Sequence, residues 1–161
     1  MATPALADAI RIDVGTSEDL DAVMEVMDRA FGTQFGEAWT RSQLAGILPM
    51  VGVVLTIASD AQSADTIGFS LVRAVADESE LLLLAVRPEH HRQGIGRRLL
   101  DHFMAQVRDW GVVRVHLEVR EGNPAVRMYR EAGFEPVGRR RNYYHAADGE
   151  RFDAITLARN L

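Results

Sequence analysis

A strand-to-helix junction near the middle of the chain constrains its fold most. Leu81 to Val86 is an unbroken apolar run of strand length. Pro88 ends it, and a polar loop leads into Gly94-Ile95-Gly96. From about Gly96 to Trp110, Leu99, Leu100, Phe103, Met104 and Val107 recur at helical spacing, and Gly111 stops the helix. A buried strand must be covered, and an amphipathic helix needs a surface to cover. The junction therefore demands a layered α/β domain.

The flanking segments supply the other layers. Ile10 to Val14 alternates apolar and polar residues as a half-buried strand does. Thr16 or Ser17 offers a cap to a helix whose stripe is Leu20, Val23, Met24, Met27, Ala30 and Phe31, ending near Gly32. A shorter helix runs from Thr40 to about Leu48, before Pro49. Val51 to Ser59, Thr66 to Val75 and Leu81 to Val86 read as strands on short turns, hence antiparallel. Val113 to Arg120 alternates strictly. Asn123 and Pro124 read as N-cap and first residue of a helix whose stripe is Ala125, Met128, Tyr129 and Ala132. Phe134 to Tyr144 and Arg151 to Leu157 close the chain as a hairpin about Asp148-Gly149. The order is β-α-α-β-β-β-α-β-α-β-β. It predicts an α/β fold with a mixed central sheet of about seven strands flanked by about four helices.

The 161 residues suit one domain over 1–161, with 1–8 as a frayed end. Cysteine is absent, which excludes disulfides, thiol nucleophiles and cysteine-ligated metals. No apolar run approaches membrane-spanning length, and the first residues lack the basic start of a secretory signal. A cytoplasmic protein with no membrane partner is expected. The net charge of -5 speaks against direct nucleic-acid binding. The histidines show no ligand spacing, so no metal is expected.

Glycines at a helix start let the backbone approach a ligand, and the first amides of the helix have no internal partner. With the helix dipole they bind phosphate or pyrophosphate. Arg92, Arg97 and Arg98 add cationic charge. A Walker loop is excluded because no Gly-Lys-Ser/Thr is present. A dinucleotide fingerprint is excluded because Leu99 stands where its third glycine belongs. A plain loop with two turn glycines and a pyrophosphate-binding loop of another kind remain.

RPEHHRQGIGRRLL resembles the core motif of the GNAT N-acetyltransferases. HRQGIGRRLL, HLEVREGN and YREAGFEPVGRRRNYYHAADGERFDAITL resemble the RimI branch, which acetylates the N-terminal alanine of a small-subunit ribosomal protein. The likeness runs from about Leu84 to Leu157. Before it, only the element order and FGEAWT match. His91 stands where relatives usually carry Gln or Arg, His145 where they often carry Pro, and the stretch from Glu118 to Tyr129 is one residue shorter than usual.

The resemblance implies a GNAT fold with acetyl-CoA as co-substrate and a ribosomal-protein N-terminus as acceptor. Arg92, Gln93, Gly94, Ile95, Gly96 and Arg97 would hold the pyrophosphate. Leu84, Ala85 and Val86 would pair with the pantetheine arm through their backbone, and an amide there would polarise the thioester carbonyl. Strand alternation alone makes Glu118 one polar residue on a polar face with Arg114, His116 and Arg120; the resemblance makes it the proton acceptor. The helical stripe alone makes Tyr129 a core residue; the resemblance makes it the proton donor. Asn123 caps its helix and, by the resemblance, bonds the pantetheine. Neutralising an α-amine at pH 7 costs roughly 1.4 kcal/mol, against about 4.6 for lysine. One carboxylate acting through water can meet the smaller cost. Two other functions fit the residues: an acetyltransferase for a small amine or antibiotic, and a non-catalytic acyl-CoA-binding module. Arg139 to Arg141 read as charges guarding a strand edge, Tyr143 and Tyr144 as part of the acceptor or cofactor wall. Trp39 is an acceptor-groove residue or an anchor for the second helix.

Overall fold

The computed structural model describes residues 9–161. The frayed end expected over 1–8 lies outside the described residues. Among the latter are seven strands and four α-helices in the expected order. β1 is Ile10–Val14, α1 Leu20–Phe31, α2 Arg41–Ile47, β2 Val53–Asp60, β3 Thr66–Val75 and β4 Glu78–Val86. α3 is Ile95–Asp109, β5 Arg114–Arg120, α4 Val126–Glu131, β6 Glu135–His145 and β7 Arg151–Asn160. The strands form one mixed sheet in the order β1-β2-β3-β4-β5-β7-β6. β4 and β5 are the parallel neighbours among the described strands, and α3 makes the crossover between them.

Capping chemistry sets the helix starts. Thr16 accepts from the Glu18 amide, and Asp19 accepts from the Thr16 amide. One 3-10 turn, Ser17–Asp19, therefore precedes α1. Thr40 and Gln43 make the same reciprocal pair at α2. Gly32 closes α1 with a φ of 54°.

The stripes divide between two faces. Val23, Val26 and Met27 of α1 and Leu44 of α2 cover Leu55, Phe69 and Leu83. Leu100, Phe103 and Val107 of α3 cover Leu81, Val115 and Leu117 from the other side, where Tyr129 and Phe134 join them. A departure that bears on the site is at α4. Its first residue is Val126, three residues beyond the expected cap. Asn123 Oδ1 accepts from the Ala125 amide, and the Val126 amide bonds back to Asn123 O. Asn123 thus closes a turn ahead of the helix, with Pro124 inside that turn, instead of capping the helix directly.

Candidate active site

β4 and β5 stay paired only from Glu78↔Arg114 to Leu81↔Leu117. The cause lies on the other edge of β4. There Val72 faces Leu81 but Leu71 faces Leu83, so Leu82 is an extra residue. Such a bulge bends its strand and resets its alternation. Leu81 consequently packs under α3, and Leu83 under α1. β4 follows β3 as far as Val86 and leaves β5 after Leu81. Leu84, Ala85 and Val86 lie on this diverging end, whose β5-facing edge carries no strand ladder.

The glycine turn stands at the mouth of the divergence. Arg92 and Gly94 have φ of 60° and 77°, the left-handed region. Alternation of such residues with right-handed ones turns successive amides toward one point, which suits an anion. The first helical bond of α3 runs from the Arg98 amide to Gly94 O, so the amides of Ile95, Gly96 and Arg97 precede the helical ladder. A Cβ on Gly96 would lie 3.6 Å from Met128 Sδ and 3.7 Å from Leu84. Glycine keeps that lip open beside β4. Arg92, Gln93 and Arg97 are exposed around it. His91 is exposed, but its ring is tied down. Its Nε2–H donates to Val86 O at 2.9 Å, tying the turn to the strand end.

A cavity of about 130 Å³ occupies the wedge itself. Glu80, Leu82 and Leu84 of β4 line one side, and Leu117 and Glu118 of β5 the other. Tyr129, Asn123, Glu37, Trp39, Tyr143 and Tyr144 complete the wall. The two candidate proton carriers and Asn123 therefore meet in one cavity. Ala85, Val86 and the glycine turn lie outside this lining.

Glu118 projects into the cavity with its side chain 14% exposed, and Arg140 Nε lies 2.7 Å from Oε1. Tyr129 is buried. Burial, and then the negative charge of Glu37, push its phenol well above the ordinary tyrosine range. It stays protonated at neutral pH. Burial and Glu37 push Tyr144 the same way.

Tyr143 and Tyr144 are sequence neighbours, yet both line the cavity. A regular strand would send them to opposite faces. Between Arg140↔Ala154 and Tyr144↔Phe152, however, β6 holds three residues against one on β7. Asn142 sits there with φ of 52°, and its amide donates to Asp153 Oδ1. The bulge turns both rings inward, edge to face at 5.0 Å.

Arg120 departs from the alternation pattern. It belongs to the polar face, yet is only 8% exposed. Its Nε donates to Glu37 Oε1 at 3.1 Å, and its guanidinium lies 3.6 Å from the Phe35 ring centre. Glu37 Oε2 accepts from Asn123 Nδ2 at 3.1 Å. One buried carboxylate thus joins the segment before α2 to the end of β5 and the turn before α4. Gly36 permits the approach: with φ of 71°, any Cβ would meet His145 O at 2.0 Å. Sequence reasoning missed Glu37. Its signal was its place in FGEAWT, since no periodicity marks it. Trp39 takes both of its roles, lining the cavity and packing in the core with α2.

The three arginines of β6 do not act alike. Arg139 is an edge charge, bound to Glu121 and Asp153 at 2.7 Å on the face away from Glu118. Arg140 contacts Glu118 and leaves the edge-guard reading. Among the described residues no cluster of three or more His, Asp or Glu is placed to hold a metal ion. No helix there is long and apolar enough to cross a membrane.

A parallel pair splayed by a bulge, with a glycine turn at its mouth, defines a class. Residues 20–134 match the model of the acetyltransferase (GNAT) family, and the chain belongs to that family. Within it, the chain is 33% identical to the [ribosomal protein bS18]-alanine N-acetyltransferase of Salmonella typhimurium LT2 over 148 residues, 91% of this chain and 95% of that protein. It is 41% identical to the enzyme of the same name from Escherichia coli K12 over 98 residues, 60% of this chain and 66%, just under two thirds, of that protein. The crystal structure of the ribosomal-protein-S18-alanine N-acetyltransferase from Escherichia coli superposes with a TM-score of 0.84 at 32% identity, covering 94% of this chain and 93% of that one. Arabidopsis thaliana NAA60 in complex with acetyl-CoA shares the fold, with a TM-score of 0.77 at 20% identity, covering 94% of this chain and 98% of that one.

Proposed function

We propose that this protein is a single-domain cytoplasmic enzyme that moves the acetyl group of acetyl-CoA to the N-terminal α-amine of an alanine-initiated ribosomal protein, bS18. The observation that carries the reading is the meeting of Glu118 and Tyr129 in the cavity between the diverging strands. The near full-length likeness to the Salmonella enzyme supports the acceptor.

The turn from Arg92 to Arg97 fits a pyrophosphate, with oriented amides and exposed guanidinium and amide side chains. The open edge of Leu84, Ala85 and Val86 fits an amide-bearing arm that adds to the sheet as a short strand. Acetyl-CoA supplies the activated thioester. An edge amide polarises the thioester carbonyl. Glu118, through a water, takes the proton that the amine loses as its nitrogen bonds to the acetyl carbon. The carbon–sulfur bond breaks, and Tyr129 gives its phenolic proton to the departing sulfur. The proton from the amine replaces that of Tyr129 through solvent, so the products are the amide and free CoA. Asn123 has its Oδ1 and one Nδ2 proton engaged within the protein. It can offer the arm its second amide proton.

The test is mass spectrometry of purified protein with acetyl-CoA and a peptide carrying the bS18 N-terminus. One acetyl group on the terminal amine is expected. An untouched peptide, with free small amines or lysine side chains acetylated instead, would overturn the acceptor. Tyr129→Phe is expected to lower kcat tenfold or more with little change in CoA affinity by calorimetry. Wild-type turnover in this variant would remove Tyr129 from the mechanism.

A further inference from the structure

Glu118 and Arg140 stand two strands apart, on β5 and β6, with β7 between them. Neighbouring strands are about 4.8 Å apart, so the backbones are separated by roughly 10 Å. On the shared face Glu118 is opposite Thr156, and Thr156 is opposite Gly138. Ala154 of β7 is opposite both Arg120 and Arg140. The lane between the two charges is thus floored by Gly138, Ala154 and Thr156. Its small side chains leave room for an arginine to lie across a whole strand. Arg140 does so, bringing Nε to 2.7 Å from Glu118 Oε1. The guanidinium carbon also lies 5.4 Å from the Tyr143 ring centre, so the aromatic wall holds the cation in place.

The pairing is asymmetric. The side chain of Arg140 is 61% exposed, that of Glu118 14%. An exposed ion pair contributes little to stability. For a carboxylate at a cavity wall, a guanidinium fixed on one oxygen selects the rotamer and directs the other oxygen to the cavity. The Tyr143 phenol also hydrogen-bonds Glu118, but it brings no positive charge to the carboxylate. Glu80 and Glu37 are carboxylates, each bound to its own arginine. Tyr143, Tyr144 and Tyr129 are phenols raised above their usual range and carry no charge at neutral pH.

We infer that Arg140 is a positioning residue, reaching across β7 to hold the Glu118 carboxylate in the orientation that accepts the amine's proton. The inference rests on the role of Glu118 proposed above. A residue that works through Glu118 must lose its influence when Glu118 is gone, which a double-mutant cycle measures. The variants are Arg140→Gln, Glu118→Gln and the pair, assayed on the bS18 N-terminal peptide. Arg140→Gln is expected to lower kcat about tenfold in the wild-type background and to have no effect on Glu118→Gln. The KM for acetyl-CoA should not move, and Arg140→Lys should recover part of the loss. An equal loss from Arg140→Gln in both backgrounds, or none in the wild type, would overturn the inference while Glu118 stands. A Glu118→Gln enzyme of wild-type rate would instead overturn the underlying reading. A crystal structure of Arg140→Gln needs no acceptor: Glu118 turned from its present rotamer is expected, and an unchanged rotamer counts against the inference.

Discussion

Glu118→Gln is expected to lower kcat by about 10²- to 10⁴-fold, the range over which a positioned proton acceptor acts. Glutamine keeps the shape and hydrogen-bonding reach of the side chain but cannot take up the proton. The KM for acetyl-CoA should hold, because the turn and the open edge of β4 are untouched. Stability should change by less than about 1 kcal/mol, since the only ion pair lost is the one with exposed Arg140. Steady-state kinetics on the N-terminal peptide, with a thermal melt alongside, makes the test. Turnover within twofold of wild type would show that another group, or solvent, takes the proton.

The second large effect is on folding. Arg120→Met is expected to destabilise the protein by about 3–5 kcal/mol, the cost of leaving a buried charge without its partner. Arg120 is 8% exposed and, among the described residues, is the cation bonded to Glu37, whose side chain is 9% exposed. At roughly 2–4 °C per kcal/mol for a chain of this size, the melting temperature should fall by about 6–20 °C. Methionine can still fill the space over Phe35, so lost packing contributes little. The pair Arg120→Met with Glu37→Gln should recover a large part of the loss, because the orphaned carboxylate goes with its partner. Chemical denaturation of Arg120→Met, Glu37→Gln and the pair measures this. Equal instability of the single and double variants would mean that the guanidinium acts through Phe35 and through the hydrogen bond that its Nη1 donates to Glu121 O, not through Glu37.

Much of the architecture was legible in the chain. Helical stripes such as Leu99, Phe103 and Val107, and strict alternation over Val115, Leu117 and Val119, report local geometry. Each residue's face then follows from a fixed period. Thr16, Thr40 and Gly32 mark helix ends through bonds to residues two to four positions away. Gly94 and Gly96 similarly announce a tight turn with free helix-start amides, because helix-start geometry is local. What these signals could not give is any departure from period. The extra Leu82 and the three-for-one bulge at Asn142 depend on the partner strand. Both decide the site, the first by opening β4 from β5, the second by aiming Tyr143 and Tyr144 together.

By itself, then, the sequence determined the order of elements, their buried faces and the turn suited to a phosphate, since those depend on near neighbours. Its motifs named Glu118 and Tyr129 by resemblance, without a cavity for them to share. Tertiary structure alone brought Glu37 against Arg120 and Asn123, 83 and 86 residues away along the chain. It alone laid Arg140 across β7 onto Glu118. Contacts of that range follow from strand order and from small residues on an intervening strand, and no local pattern in the sequence encodes either.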